Sequence, residues 1–351
     1  MKANAKLFSE AFTQAAKVIS NRSPKEVLRY IHAVSDGARL TLTGANGELM
    51  LQRSIPCEGV LPPVLLPVQV GEVAKLSADW IEVTTSGESV LVATPTGKSK
   101  LQTRAADEFP MPQPVEGEAI EIPEGVWHAV GRFVAPCTGV CGNFATGGVC
   151  ISKADGMAEF VGCTSARMGI TSCQTEATWD QSVVRPEVFS LLAGDVVARI
   201  SPQMASFTSG DVTAWSRLVA GRFPSYGEAM EGAMEGAEQS VTVDSAALLN
   251  AVKSVGVTTS EESEGVDFTI GNGEIKVQTA ASDKGESHAT VPAATLGDAC
   301  RFRLSHEFMV EFLRKAPAGE NIQIDYGNSS GVMLSSGRAK CLIMTMRKDG
   351  E

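Results

Sequence analysis

The side chains with the widest chemical repertoire are few and scattered. The four histidines, His32, His128, His288 and His306, lie too far apart to read as a metal set or a catalytic triad. Each reads as a surface histidine or one satisfied internally. The eight cysteines, at 57, 137, 141, 150, 163, 173, 300 and 341, form no framework. The closest pair, Cys137 and Cys141, has no second pair and no suitably spaced histidine. Reduced thiols are expected, with no metal. The carboxylate pairs Asp107-Glu108 and Glu261-Glu262 fall in turn-like stretches, where solvation accounts for them. No phosphate-cradling glycine loop and no nucleophile elbow are present; Gly139-Val140-Cys141-Gly142 and Gly147-Gly148 are loop glycines without the rest of a motif. These residues specify no enzyme, and no cofactor is expected.

The chain that must position them has 351 residues, 43% hydrophobic and 20% charged, an ordinary globular composition. Its net charge is −11, from 30 Lys+Arg against 41 Asp+Glu. With a pI near 5.0, bulk charge ranks nucleic acid low, because that affinity comes from cations neutralising phosphates. No apolar run approaches the roughly 18 residues of a membrane span. The opening Met1-Lys2-Ala3-Asn4-Ala5-Lys6 leads into a mixed segment and not a signal-peptide core, so a cytoplasmic protein without membrane contact is expected.

Hydrophobic periodicity reveals a repeat. Helical spacing covers Leu7–Ile19, and again Val68–Leu76 after Pro67. Strand patterns follow at Ala38–Leu42, Leu49–Leu51, Trp80–Thr84, Ser89–Val92 and Lys98–Thr103. In the middle third, Val126–Val134 and Pro186–Gly194 read as the two helices, the second with Pro near its start and Gly past its end. Strands are expected at Gly148–Lys153, Ala158–Gly162, Met168–Ser172, Val196–Ile200, Met204–Thr208 and Thr213–Val219. The last third has Ala246–Val255, then Ser305–Lys315 with Ser305 as N-cap. Its strands are Val266–Ile270, Glu274–Thr279, Ser287–Val291, Ile322–Tyr326, Val332–Ser335 and Ala339–Met346. The period is about 120 residues. Linker composition at Met111–Gly117 and Met230–Ala237 sets three α+β domains, 1–116, 117–237 and 238–351.

The three thirds carry 12 basic against 12 acidic residues, 7 against 13, and 11 against 16, so the acidity is spread over folded faces. The cations concentrate on or beside the helices: Lys6, Lys17, Arg22, Lys25 and Lys75 in the first third, Arg132 and Arg185 in the second, Lys253 and Arg314 in the third.

Three such units resemble the bacterial DNA polymerase III β subunit, the sliding clamp. Residues 101–110, ending Asp107-Glu108-Phe109-Pro110, resemble the family's close of its first domain. Residues 217–226, Arg-Leu-Val-Ala-Gly-Arg-Phe-Pro-Ser-Tyr, are similar to its Leu-Ile-Glu-Gly-Lys-Phe-Pro-Asp-Tyr segment. Leu342-Ile343-Met344-Thr345-Met346-Arg347 resembles its terminal Val-Val-Met-Pro-Met-Arg. All three occur in order along the chain. The resemblance implies a non-enzymatic processivity factor, an accessory subunit of DNA polymerase III. Two three-domain chains would join head to tail in a ring around duplex DNA. Helices would line the hole, and phosphate contacts carry no sequence information. Lys6, Lys17, Arg22, Lys25, Lys75, Arg132, Arg185, Lys253 and Arg314 are then the expected DNA-facing set.

The resemblance also implies a hydrophobic cleft between domains 2 and 3. It would take short peptides from the polymerase III catalytic subunit, the clamp loader and other proteins bearing the clamp-binding motif. Residues 162–168 match the family's Ala-Thr-Asp-Gly-His-Arg-Leu, keeping Arg167 and an apolar Met168, while Cys163, Ser165 and Ala166 depart. Pro224, Ala229, Leu342, Met344 and Met346 complete the expected cleft. Thr345 replaces the family's proline, and Lys348–Glu351 extend beyond its usual end. The homodimer interface is expected to join Lys98, Lys100 and Leu101 to the partner's 255–260 stretch, with Val257 and Thr258 central. A clamp-fold scaffold that no longer encircles DNA is the competing reading, on the strength of the sparse cations and the small residues at 256–259.

Overall fold

The computed structural model describes residues 1–140, 142–259, 265–279, 284–296 and 299–346. Cys141, Ser260, the Glu261-Glu262 pair, Arg347 and Lys348–Glu351 lie outside the described residues. Six α-helices are described: α1 Ala5–Ala16, α2 Gln69–Lys75, α3 Glu124–Ala129, α4 Tyr226–Met234, α5 Ser245–Gly256 and α6 His306–Lys315. The chain divides into two compact units, one of Met1–Trp127 with Thr175–Leu218, the other of His128–Gln174 with Val219–Glu351. The middle third of the sequence thus contributes to both.

The first unit is built on a 10-stranded sheet. Its spine is the strand Leu49–Leu66, paired along its length with Ile31–Ala45. On its other side it takes Lys2–Asn4 and Val212–Arg217. α1 buries Ala5, Phe8, Ala11, Phe12 and Ala15, one stripe at the 3.6-residue period. Asn4 caps it by accepting a hydrogen bond from the Leu7 amide at 3.1 Å. Trp127, Phe189 and Phe207 form an aromatic cluster with centroids 4.8–6.1 Å apart.

In the second unit a sheet runs in the order Val149–Ala154, Met157–Cys163, Arg167–Gln174, Ala339–Met344, Gly331–Ser336, Asn321–Tyr326, Gln239–Asp244 and Ala294–Leu296. A 4-stranded sheet holds His288–Pro292, Glu274–Gln278, Gly265–Gly271 and Cys300–Ser305. α5 buries Leu248, Ala251, Val252 and Val255, and α6 buries Met309, Val310, Phe312 and Leu313. Both start on side-chain caps, Asp244 accepting from the Ala247 amide at 2.7 Å and Ser305 from Phe308 at 3.4 Å. α5 ends where a side chain on Gly256 would strike the His306 imidazole, so that small residue sets how closely the two helices meet.

Several expected elements are different. Pro186–Ser190 is a 3₁₀ turn, held by bonds such as Val188 N to Arg185 O at 3.2 Å, and not the start of an α-helix. α3 widens into a π-turn over Val130–Val134 and tightens to 3₁₀ at Ala135–Cys137, where Pro136 has no amide to extend the ladder. The strands read as Ala38–Leu42 and Leu49–Leu51 extend to 15 and 18 residues. Register shifts at Ala33/Ser35 and Gly37/Arg39 let the hairpin pass its prolines and glycines. The Gly-rich stretch read as a linker from Met230 is helical through Met234. The last strand stops at Met344 and not Met346. Among the described residues no helix is long and apolar enough to cross a membrane.

Candidate functional site

The cysteine, arginine and methionine positions of 163–168 lie around one turn. The Thr164 amide donates to Arg167 O at 2.9 Å, and Thr164 Oγ1 accepts from the Ala166 and Arg167 amides at 3.3 Å. This turn fixes the register of three strands. Met168 stands opposite Cys163 on one side and Leu342 on the other, and Leu342 stands opposite Met333. Residues directly opposite share a face, so Cys163, Met168, Leu342 and Met333 form one apolar row, all buried.

Met344 continues that face two residues on. Its amide donates to Ala166 O at 2.9 Å, and it pairs with Gly331. Leu342 Cδ1 and Ala233 Cβ of α4 meet over the bare backbone of Gly331, 2.6 and 3.4 Å from where a side chain would begin. α4 therefore flanks the row. Its exposed Ala229 lies one turn before Ala233, and the exposed Pro224 just precedes the helix. Ser165 is exposed at the turn.

Two expected cleft residues have partners away from the row. The Met346 amide donates to Arg303 O at 2.9 Å, and its sulfur lies beside Gly265 in the smaller sheet. Arg167 points to the opposite face of its strand from Met168. There it binds the Glu311 carboxylate and Pro136 O, and its guanidinium lies 4.4 Å from the Phe308 ring centroid. Lys315 Nζ donates to the other Glu311 oxygen at 2.7 Å. Burial opposes charge on Glu311, yet the Lys315 and Arg167 hydrogen bonds outweigh it and hold the carboxyl below its usual range. Burial likewise opposes charge on Arg167, and Glu311 more than restores it.

That opposite face is built for close approach. Gly169 and Gly162 are cross-strand partners. A side chain on Gly169 would come within 2.5 Å of Phe133 O, and one on Gly162 would strike Val134 O. The π-turn therefore lies directly on the strand backbones.

The expected basic set is mostly exposed, with Arg132 and Arg185 half-buried. In the first unit Lys6 lies on α1, Lys17 at its C-cap, and Arg22 and Lys25 beyond it. Lys75 ends α2 and is paired with Glu72 at 2.8 Å, and Arg185 is paired with Glu48 at 2.8 Å. In the second unit Lys253 and Arg314 occupy the last turns of α5 and α6, and Arg132 follows α3 in the π-turn.

Lys98, Lys100 and the half-buried Leu101 lie on Gly97–Gln102, the edge strand of the first unit's sheet. Val257 is 77% exposed just past α5, while Thr258 Oγ1 is 2.7 Å from Thr279 Oγ1. Sequence reasoning missed exposed apolar side chains such as Val60, 68% exposed, and Val140 and Phe144, 62% and 78% exposed before the strand Val149–Ala154, and it read Leu76, 84% exposed at the end of α2, as part of an apolar stripe. Periodicity marks buried stripes, and it gives no sign of an apolar residue placed outside one.

No protein-family model matches the chain, and no curated protein does. Solved structures match it end to end. The DNA polymerase III subunit beta of Pseudomonas aeruginosa superposes with a TM-score of 0.87 at 19% identity, covering 99% of this chain and 100% of that one. The DNA polymerase sliding clamp of Bacillus subtilis gives 0.86 at 16%, covering 99% and 98%. The DNA polymerase III beta subunit of Thermotoga maritima gives 0.85 at 17%, covering 99% of each. The chain has the sliding-clamp fold over its whole length, in a divergent sequence.

Proposed function

We propose that this chain is a DNA sliding clamp, a processivity factor that encircles duplex DNA without reading sequence. The observation that carries the reading is the end-to-end likeness to three DNA polymerase clamps from different bacteria, each covered at 98% or more. In this reading residues 1–116, 117–237 and 238–351 are three clamp domains, and two cytoplasmic chains close head to tail. The edge strand with Lys98, Lys100 and Leu101 is one half of the joint, and Val257 with Thr258 the other. The exposure of Leu76 and Val257 supports a second copy, since large apolar side chains in water favour burial. Lys6, Lys17, Arg22, Lys25, Lys75, Arg132, Arg185, Lys253 and Arg314 face the DNA. The clamp does no chemistry of its own and is an accessory subunit of DNA polymerase III.

The row of Cys163, Met168 and Leu342, continued by Met344 and flanked by Ser165, Pro224 and Ala229, is the floor and rim of a groove for peptides of the polymerase and clamp loader. Arg167 and Met346 support it from outside. Methionine adapts to several related peptides.

Light scattering is expected to give twice the 36.9 kDa chain mass. The protein should stay on nicked circular DNA, once loaded, and slip off linear DNA. A strict monomer at micromolar concentration would remove the ring. The pairing of Lys75 and Arg185 with carboxylates favours a second reading, a clamp-fold scaffold that binds peptides without encircling DNA. That reading expects a monomer whose peptide binding is intact.

A further inference from the structure

Below the strand pair Arg167–Gln174 and Ala339–Met344, on the face away from the proposed groove, two thiols meet. Cys137 Sγ, at the end of the 3₁₀ turn, lies 3.9 Å from Cys341 Sγ. Both are buried, and 204 residues separate them in sequence. A disulfide requires about 2.05 Å, so the sulfurs must close by about 2 Å. Gly169 is the cross-strand partner of Cys341, and its missing side chain leaves the space in which the Cys137 sulfur sits, 3.1 Å from a Cβ there.

The pair is not sealed. A narrow crevice of about 10 Å³, room for about one water, reaches it, lined by Cys137, Cys341, Arg167, Glu311, Phe312 and Lys315. The thiol that becomes a thiolate is the nucleophile in oxidation and exchange. The Cys137 thiol is pulled below its usual range by its hydrogen bond with Cys341 and, against burial, by the Arg167 and Lys315 charges. Cys341 is pushed well up by the same hydrogen bond and by burial. One sulfur is thus set up to attack and the other to follow.

We propose that Cys137 and Cys341 form a reversible disulfide, with a peroxide as the oxidant. The Cys137 thiolate attacks one peroxide oxygen. The O–O bond breaks, and the leaving hydroxide takes up the thiol proton as water. The Cys137 sulfenic acid is then attacked by the Cys341 sulfur; the S–O bond breaks, and a second water leaves with the Cys341 proton. Two thiols and one hydrogen peroxide give one disulfide and two waters. The bond staples the Ala135–Cys137 turn to the strand whose other face carries Leu342, and dithiol reductants reverse it. The proposal stands independently of the clamp function.

The test treats the full chain with hydrogen peroxide, blocks remaining thiols under denaturing conditions and maps the peptides. The expected result is a loss of about 2 Da and a Cys137–Cys341 link that dithiothreitol removes. Cys341→Ser should halt the reaction at a Cys137 sulfenic acid trapped by dimedone, and Cys137→Ser should leave Cys341 unmodified. A sulfinic acid on Cys137 without a link overturns the proposal. So does a dominant link through Cys57 or another cysteine, or both thiols remaining fully alkylatable. If either variant fails to fold, the wild-type peptide map decides alone.

Discussion

The strand Arg167–Gln174 has two faces that meet opposite demands. One carries Met168 in a row with Cys163 and Leu342, flanked by exposed Ala229 and Pro224. The other carries Arg167 and Gly169, held against α6 and the π-turn by charge and by backbone contact. The first face uses side chains that change shape at low cost. The second leaves almost no freedom, because paired glycines and a three-membered ion cluster specify their neighbours. The contrast teaches how one strand can carry a row of pliable side chains: the face behind it is fixed.

The sharpest way to break the contrast is to overfill the fixed face. Gly169→Val drives a branched side chain into Phe133 O, and a loss of about 3 kcal/mol or more in urea-unfolding free energy is expected. Wild-type stability in this variant would show that the face yields.

Arg167→Ala strands the partly buried Glu311 carboxylate against Lys315 alone and also removes the stacking on Phe308. The expected cost is about 2 kcal/mol, below that of a fully buried pair because Glu311 is 31% exposed. The same cluster sets a pH dependence. Glu311 titrates lower folded than its ordinary value of 4.5, so its contribution is fully present above that value and is lost as pH falls through the lower folded one. Glu311→Gln should therefore lose less stability than wild type between pH 5 and the acid limit, measured by thermal melts. Parallel curves would remove the cluster from the argument.

On the adaptable face the effect should be on binding. Met344→Asp is expected to weaken a Gln-Leu-x-Leu-Phe-type peptide at least tenfold, by about 1.4 kcal/mol, with the melting temperature nearly kept. Unchanged affinity by fluorescence anisotropy would take Met344 out of the groove. Ser165→Ala, at the exposed turn, should change stability by less than about 0.5 kcal/mol.

Much of the α+β architecture was legible where local pattern and burial agree. The stripes of α1, α5 and α6 follow the helical period, and Ser305 caps α6 as its type and position suggest. The fold was less legible where tertiary contact overrides local preference. α4 forms in a Gly-rich stretch, and the 18-residue strand Leu49–Leu66 runs through Pro56, Pro62 and Pro63 with long-range partners on both sides. In the candidate site, resemblance singled out the segment around Met168 and Leu342. It gave no sign that Arg167 turns away to Glu311, because that pair is 144 residues apart and no periodicity links the two. Nor does the resemblance show that the last strand ends at Met344 and that the Met346 amide is held by Arg303 O.

The strand Leu49–Leu66 has a consequence for the birth of the protein. On one side its hairpin partner Ile31–Ala45 is synthesised before it. On the other, Val212–Arg217 pairs through Val212 and Arg53, and that strand is made only after a long intervening stretch. At ribosomal speeds of about 5–20 residues per second, this edge waits roughly eight to thirty seconds without its partner. A nascent chain in that interval presents an open row of backbone donors and acceptors. The protein should therefore lean on chaperones during translation, and yields of folded protein should respond more to slower synthesis before residue 212 than after it.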